Sequence, residues 1–362
     1  MNIAVLGGGN GAYATAADLA EKGHRVRMWR RNREEFAPVL KSWSIVLTDY
    51  QGTRTVDLEL AGVDLEKVIK GAEVIIIPLP AFSQEALANE IAPYLEDDQI
   101  ILLPPGTFGS LVMAQELKKF GCQAKVIFAE TGTLPYLARK HGEDTVAITT
   151  RASRLPTGIF PANCSDSAFK TLKKIFSAIE PVQDVLDAAL LNAGPIIHPP
   201  LILLNSAPIE HFDRWDIHNE GTQPSVRKVH DALDRERILL RETLGYHRQH
   251  FPLADHYSLE GEEWMYGNAA HEKLVDSADW REKLDLSNHR YVREDIGCGL
   301  VFLVSVAKWA GVSAPIADSI LKIASVIAGT DFYETGRTLG QLGLDGFSKD
   351  QMKHLLLKGL PE

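Results

Sequence analysis

Met1-Asn2-Ile3-Ala4-Val5-Leu6-Gly7-Gly8-Gly9-Asn10-Gly11-Ala12 opens the chain. The first six residues are a short apolar run that reads as a buried strand, and an Ala-rich helix follows the glycines to about Lys22. Gly7, Gly9 and Ala12 fit the dinucleotide spacing G-x-G-x-x-G/A. Gly7 permits the tight turn, Gly9 lets the backbone approach a pyrophosphate, and Ala12 lets the helix pack close to the strand. The first helical amides, at Asn10 and Gly11, then face the phosphates. A glycine-rich turn alone is a common structural device. Its place between a strand and a helix is what reads as dinucleotide binding.

Outward from that turn, Arg25–Trp29 reads as the second strand. Where an NAD enzyme places an acidic residue for the ribose hydroxyls, this chain has Arg30 and then Arg31. Guanidinium groups attract a 2′-phosphate, so the expected cofactor is NADPH, with NAD also admitted. Arg33 is a further candidate contact. Apolar strands are expected at 72–77, 99–103, 125–129 and 146–149, alternating with helices near 63–70, 83–91 and 113–119. Residues 53–58 read as a less regular hairpin. Pro78 and Pro80 end one strand and Pro104-Pro105-Gly106 another, either simply stopping them or shaping the nicotinamide side of a cleft. This is the pattern of an α/β Rossmann-like doubly wound sheet.

Near residue 180 the pattern changes. Helical segments are expected over 227–246, 298–309, 315–328 and 349–357, so residues 1–182 form a dinucleotide-binding domain and 183–362 an all-helical one. The 362-residue length accommodates two domains. A net charge of −10 gives no general affinity for nucleic acid. Cys122, Cys164 and Cys298 form no CxxC pair, which fits a reducing, cytoplasmic setting. The chain starts on an expected core strand, so no signal peptide is expected, and no apolar run is expected to approach the ~20 residues of a bilayer span. No membrane or metal partner is expected, and His247, His250 and His256 match no strong zinc spacing.

The second informative stretch is Asn192-Ala193-Gly194-Pro195-Ile196-Ile197-His198-Pro199-Pro200. An imidazole in apolar surroundings is either a buried neutral histidine or a group that moves a proton near neutral pH. The residues alone leave both readings open. Together with GGGNGA, Glu130-Thr131-Gly132-Thr133-Leu134-Pro135-Tyr136, Arg290-Tyr291-Val292-Arg293-Glu294-Asp295-Ile296-Gly297 and Gly336-Arg337-Thr338-Leu339, this stretch makes the whole chain resemble the opine dehydrogenases, the octopine/nopaline group.

The resemblance implies reductive condensation of an amino acid with a 2-oxo acid, commonly pyruvate, using NADH or NADPH. It implies a catalytic His198–Asp295 pair, Arg290 on the oxo-acid carboxylate, and Glu130 and Asn192 near the substrate. Homodimerisation is left open. On the residues alone, Asp295 also reads as a helix cap and Glu130 as a strand-end carboxylate. Family members often carry Pro-Tyr where this chain has Gly297-Cys298, so the amino-acid specificity is not inherited. Two alternatives stand beside this reading: a two-domain 2-hydroxy-acid or sugar-acid dehydrogenase, and a non-catalytic NADPH-binding protein.

Overall fold

The computed structural model describes residues 1–258, 260–267 and 281–361. These divide into two compact units, Met1–Ala189 with Leu355–Glu362, and Leu190–His354. The division falls later than the expected 182/183 boundary. The strand Ile179–Pro181 and the helix Val185–Ala189 both pack on the strand Leu155–Phe160, which holds them in the first unit.

In chain order the first unit contains β1 (Asn2–Leu6), β2 (Arg25–Trp29), β3 (Ser44–Asp49), β4 (Gly52–Asp57), β5 (Leu60–Gly62), β6 (Val74–Ile76), β7 (Ile100–Leu103), β8 (Ile127–Thr131), β9 (Tyr136–Lys140), β10 (Thr145–Arg151), β11 (Leu155–Phe160) and β12 (Ile179–Pro181). The main sheet runs β12-β11-β8-β7-β6-β1-β2-β5. Its strands from β8 to β5 are parallel, while β11 and β12 run the other way. The runs Val74-Ile75-Ile76 and Ile100-Ile101-Leu102-Leu103 are buried throughout, as strands covered on both faces must be.

The expected irregular hairpin is a regular one. Strands β3 and β4 pair from Ser44↔Asp57 to Asp49↔Gly52 and belong to a second sheet, β4-β3-β10-β9. The helix Asn10–Glu21 touches strands of both sheets, which explains its composition. Ala12, Ala14, Ala16 and Ala17 are all fully buried, and larger side chains would hold the layers apart. Inside this contact Asp18 accepts hydrogen bonds from Tyr136 Oη at 2.7 Å and Arg151 Nε at 2.8 Å.

Among the described residues the second unit is helical apart from a two-residue ladder, Trp215–Asp216 against Arg281–Glu282. The helix Gly194–Leu204 packs against Pro224–Leu244, Pro315–Ala328 and a ten-residue π-helix, Tyr291–Leu300. Contrary to the sequence expectation, Val185–Leu204 is long and apolar enough to cross a bilayer, with mean hydropathy 1.3. It is 78% buried within the protein and contains Pro199 and Pro200, so it is core rather than a spanning segment.

Candidate active site

The glycine-rich turn is built as a cradle. Gly7 has φ +150°, its N–H donates to Trp29 O at 2.9 Å, and an added Cβ would lie 3.2 Å from both Ala12 Cβ and Leu79 Cδ2. A Cβ on Gly9 would meet nothing within 4 Å, leaving the backbone open to a ligand. Pro78 lies beside Gly11, where a Cβ would be 3.3 Å from the proline ring, and Pro80 leads into the short turn Ala81–Ser83. These residues fit a dinucleotide pyrophosphate at a helix N-terminus. Asn10 has a local role: its Oδ1 accepts a hydrogen bond from Lys140 N at 3.0 Å, tying β9 to the turn.

Arg30 lies across Gly8, where a Cβ would fall 2.3 Å from its Nε. Its Nη1 donates to Glu35 O at 2.7 Å and reaches Tyr13 Oη at 3.4 Å, while Nη2 pairs with the Glu35 carboxylate. Arg31 departs from the expected double guanidinium. It extends to the surface and pairs with Glu90.

Glu130 requires a larger correction. It is fully buried, and its carboxylate accepts from Phe108 N at 2.8 Å and Ser110 N at 2.6 Å at the start of the helix Gly109–Phe120. Thr107 and Phe108 have φ of 54° and 63°, a left-handed turn whose amides converge on that carboxylate. A Cβ on Gly106 would meet Glu130 at 2.2 Å. With each oxygen accepting from a backbone donor, Glu130 caps a helix. Glu130→Gln should cost about 1–3 kcal/mol of stability, because an amide cannot accept both N–H groups. Chemical denaturation measures the loss, and an unchanged midpoint would contradict the capping role.

Asn192 is likewise local. Its Oδ1 accepts from Gly194 N at 3.0 Å and shapes the turn into the helix Gly194–Leu204. That helix carries His198 towards the π-helix. His198 Nδ1 lies 2.8 Å from Asp295 Oδ2, and Asp295 is 5% exposed. Two glycines permit this approach. A Cβ on Gly194 would lie 2.2 Å from Asp295 Oδ1, and one on Gly299 would lie 2.2 Å from Pro195 Cγ.

Asp295 is not the helix cap that its sequence position allowed. It is buried within the π-helix Tyr291–Leu300. The i→i+5 pattern of such a helix places Arg290 and Asp295 roughly one turn apart. Burial pushes the Asp295 carboxyl up to about 7, with the Arg290 charge pulling it back down. Arg290 is exposed and, among the described residues, forms no ion pair. The Tyr291 ring stacks on the His198 imidazole with centroids 3.8 Å apart and planes at 19°. His218 meets the same imidazole edge-on, with centroids 5.7 Å apart.

Behind the dyad, His230 Nε2 donates to Ile197 O at 3.0 Å, and burial lowers its pKa, keeping it neutral. Tyr291 carries no charge that would signal a role in the sequence. His218 and His230 have no spacing that links them to His198. Cys298 is buried, and burial raises its thiol pKa, in keeping with packing rather than nucleophilic chemistry. Among the described residues no group of three or more His, Cys, Asp or Glu could hold a metal ion.

A nucleotide cradle in one unit, and in the other a half-buried imidazole paired with a buried carboxylate beside an exposed arginine, are the parts of a two-domain dehydrogenase. Residues 181–328 match the NAD/NADP octopine/nopaline dehydrogenase alpha-helical domain, and residues 2–107 match the NAD-dependent glycerol-3-phosphate dehydrogenase N-terminus. An opine dehydrogenase of Arthrobacter sp. (strain 1C) is 27% identical over 353 residues, covering 95% of this chain and 96% of its own. An octopine dehydrogenase solved with NADH and agmatine shares the fold at TM-score 0.72 and 18% identity, covering 99% of this chain and 98% of its own. A yersinopine dehydrogenase with NADP+ bound does so at TM-score 0.68 and 14% identity, covering 99% and 98%. Over nearly its whole length the chain is similar to the opine dehydrogenases.

Proposed function

We propose that this chain is an NADPH-preferring opine dehydrogenase that joins the amino group of an amino acid to the keto carbon of a 2-oxo acid, pyruvate foremost, and reduces the resulting C=N bond. The carrying observation is the His198 Nδ1–Asp295 Oδ2 hydrogen bond. With Asp295 ionised, Nδ1–H is the donor and Nε2 is left with its lone pair. Nε2 can then take a proton from the substrate ammonium, freeing the amine to attack the ketone. Attack moves a second nitrogen proton onto the keto oxygen, and the proton held on Nε2 then returns to that hydroxyl, which leaves as water. Asp295 stabilises the imidazolium between these events, and the stacked Tyr291 fixes the ring plane. A reduced nucleotide held by the Gly7–Ala12 cradle would supply the hydride that reduces the C=N carbon.

Arg290 is available to grip the oxo-acid carboxylate. Arg290→Ala should raise KM for the oxo acid about 10- to 100-fold while leaving nucleotide affinity unchanged. A steady-state titration with an unaltered oxo-acid KM would remove Arg290 from that role. Arg30, at the end of β2, supports NADPH over NADH. The three free cysteines suit a reducing, cytoplasmic location. The direct test is reduced-nucleotide consumption with each substrate alone and with both. The proposal requires both; consumption with the oxo acid alone would favour a 2-hydroxy-acid dehydrogenase.

A further inference from the structure

The end of β9 brings a second cation to the nucleotide cradle, one that nothing near the glycine-rich turn announces. Lys140 is half-buried, with Nζ 3.5 Å from Gly8 O and 3.7 Å from the centre of the Tyr13 ring. Tyr13 Oη is also the atom that Arg30 Nη1 reaches at 3.4 Å. The two cations therefore converge on Gly8 and Tyr13 from different strands. Asn10 Oδ1 accepts from Lys140 N at 3.0 Å and so fixes the Lys140 backbone.

Burial and the Arg30 charge together lower the Lys140 ammonium to about 8, against opposing pulls from Glu143 and Asp144. Two like charges held this close are stabilised by an anion. Glu35 provides one. Its carboxylate pairs with Arg30 Nη2 and accepts from Asn32 Nδ2 at 2.8 Å. The Arg30 side chain is 12% exposed and that of Glu35 is 58% exposed, so the carboxylate is free to swing into solvent while the guanidinium stays in place.

We propose that Arg30 and Lys140 together form the subsite for the 2′-phosphate of NADPH, and that the Glu35 carboxylate occupies this subsite until the phosphate displaces it. The inference rests on the nucleotide reading above and adds Lys140 and Glu35 to it. A dianionic phosphate has more charge and more acceptor oxygens than a carboxylate, so it can engage both cations at once. A ribose hydroxyl has no charge with which to displace Glu35. Discrimination between the two nucleotides follows from that difference.

The test is calorimetric binding of 2′,5′-ADP and of 5′-AMP to the full-length protein, with no turnover involved. Lys140→Met should weaken 2′,5′-ADP about 10- to 100-fold and 5′-AMP by less than about threefold. Glu35→Gln should strengthen 2′,5′-ADP about threefold. Lys140→Arg should restore most of the lost affinity, which a merely structural role for the side chain would not produce. Equal losses for both nucleotides in Lys140→Met would place Lys140 on the 5′-phosphate side and overturn the subsite, leaving the dehydrogenase reading intact. Unchanged or weaker 2′,5′-ADP binding in Glu35→Gln would overturn the displacement. If neither nucleotide binds the unaltered protein, the subsite falls together with the nucleotide reading.

Discussion

Asp295→Asn should lower kcat by about 10²- to 10⁴-fold while leaving the fold as stable as before, or more stable above neutral pH. The two halves of this result share one cause. Asp295 is buried against Gly194 and His198, and burial raises its carboxyl pKa to about 7. In the unfolded chain the same carboxyl loses its proton near 3.8. Between these values the folded state holds a proton that the unfolded state has released, so this group's contribution to stability declines as pH rises from about 4 to about 7.

An asparagine removes that burden. The stability difference between variant and parent should therefore move in the variant's favour across this window and level off above it. Activity moves the opposite way, because a neutral amide offers no charge to an imidazolium and can turn its NH2 towards Nδ1, leaving Nε2 protonated. Thermal melts at pH 5 and pH 8, beside initial rates, separate the two effects. A variant that loses activity and stability together at both pH values would make Asp295 a structural residue.

His198→Ala should be comparably damaging to turnover, about 10²- to 10⁴-fold in kcat, with nucleotide affinity retained. His198 lies in the helical unit, whereas the nucleotide cradle belongs to the first, so binding and chemistry should respond separately. The loss should fall on kcat. The ammonium must shed a proton before it can attack and the hydroxyl must gain one before it can leave, and both transfers pass through Nε2. Removing the imidazole also uncovers the Tyr291 ring that stacks on it. His198→Gln keeps part of that packing but cannot carry the proton, and should be as inactive as the alanine variant. Near-normal turnover in either variant would take His198 out of the proton path.

Much of the nucleotide-binding unit was legible because its strands are buried on both faces and stand out as apolar runs between turns. What escaped were features whose cause lies far along the chain. The Ala-rich face of Asn10–Glu21 suits one sheet as well as two, and nothing local shows that β9 and β10 cover its other side. Lys140 lies 130 residues from the Asn10 that anchors it. Glu130 sits in a motif that resembles a substrate site, yet its carboxylate is consumed by a turn some twenty residues earlier in the chain.

In the helical unit, the proximity of His198 to Asp295 came from the family resemblance. The spacing of 97 residues carries no signal of its own. The π-helix was hidden for a different reason: its period is close enough to that of an α-helix for a ten-residue segment to read as either. The five-residue interval between Arg290 and Asp295 is explicable only once the wider turn is known.

The fate of the transferred hydrogen reports most directly on the chemistry assigned to the His198–Asp295 pair. Reduced nucleotide deuterated at the transferring carbon, mixed with an amino acid, pyruvate and the protein, should give a secondary-amine dicarboxylate with one deuterium on the former keto carbon. Mass spectrometry should detect it with the unaltered protein and lose it with His198→Ala. Deuterium found instead in a 2-hydroxy acid, formed whether or not the amino acid is present, would contradict the condensation.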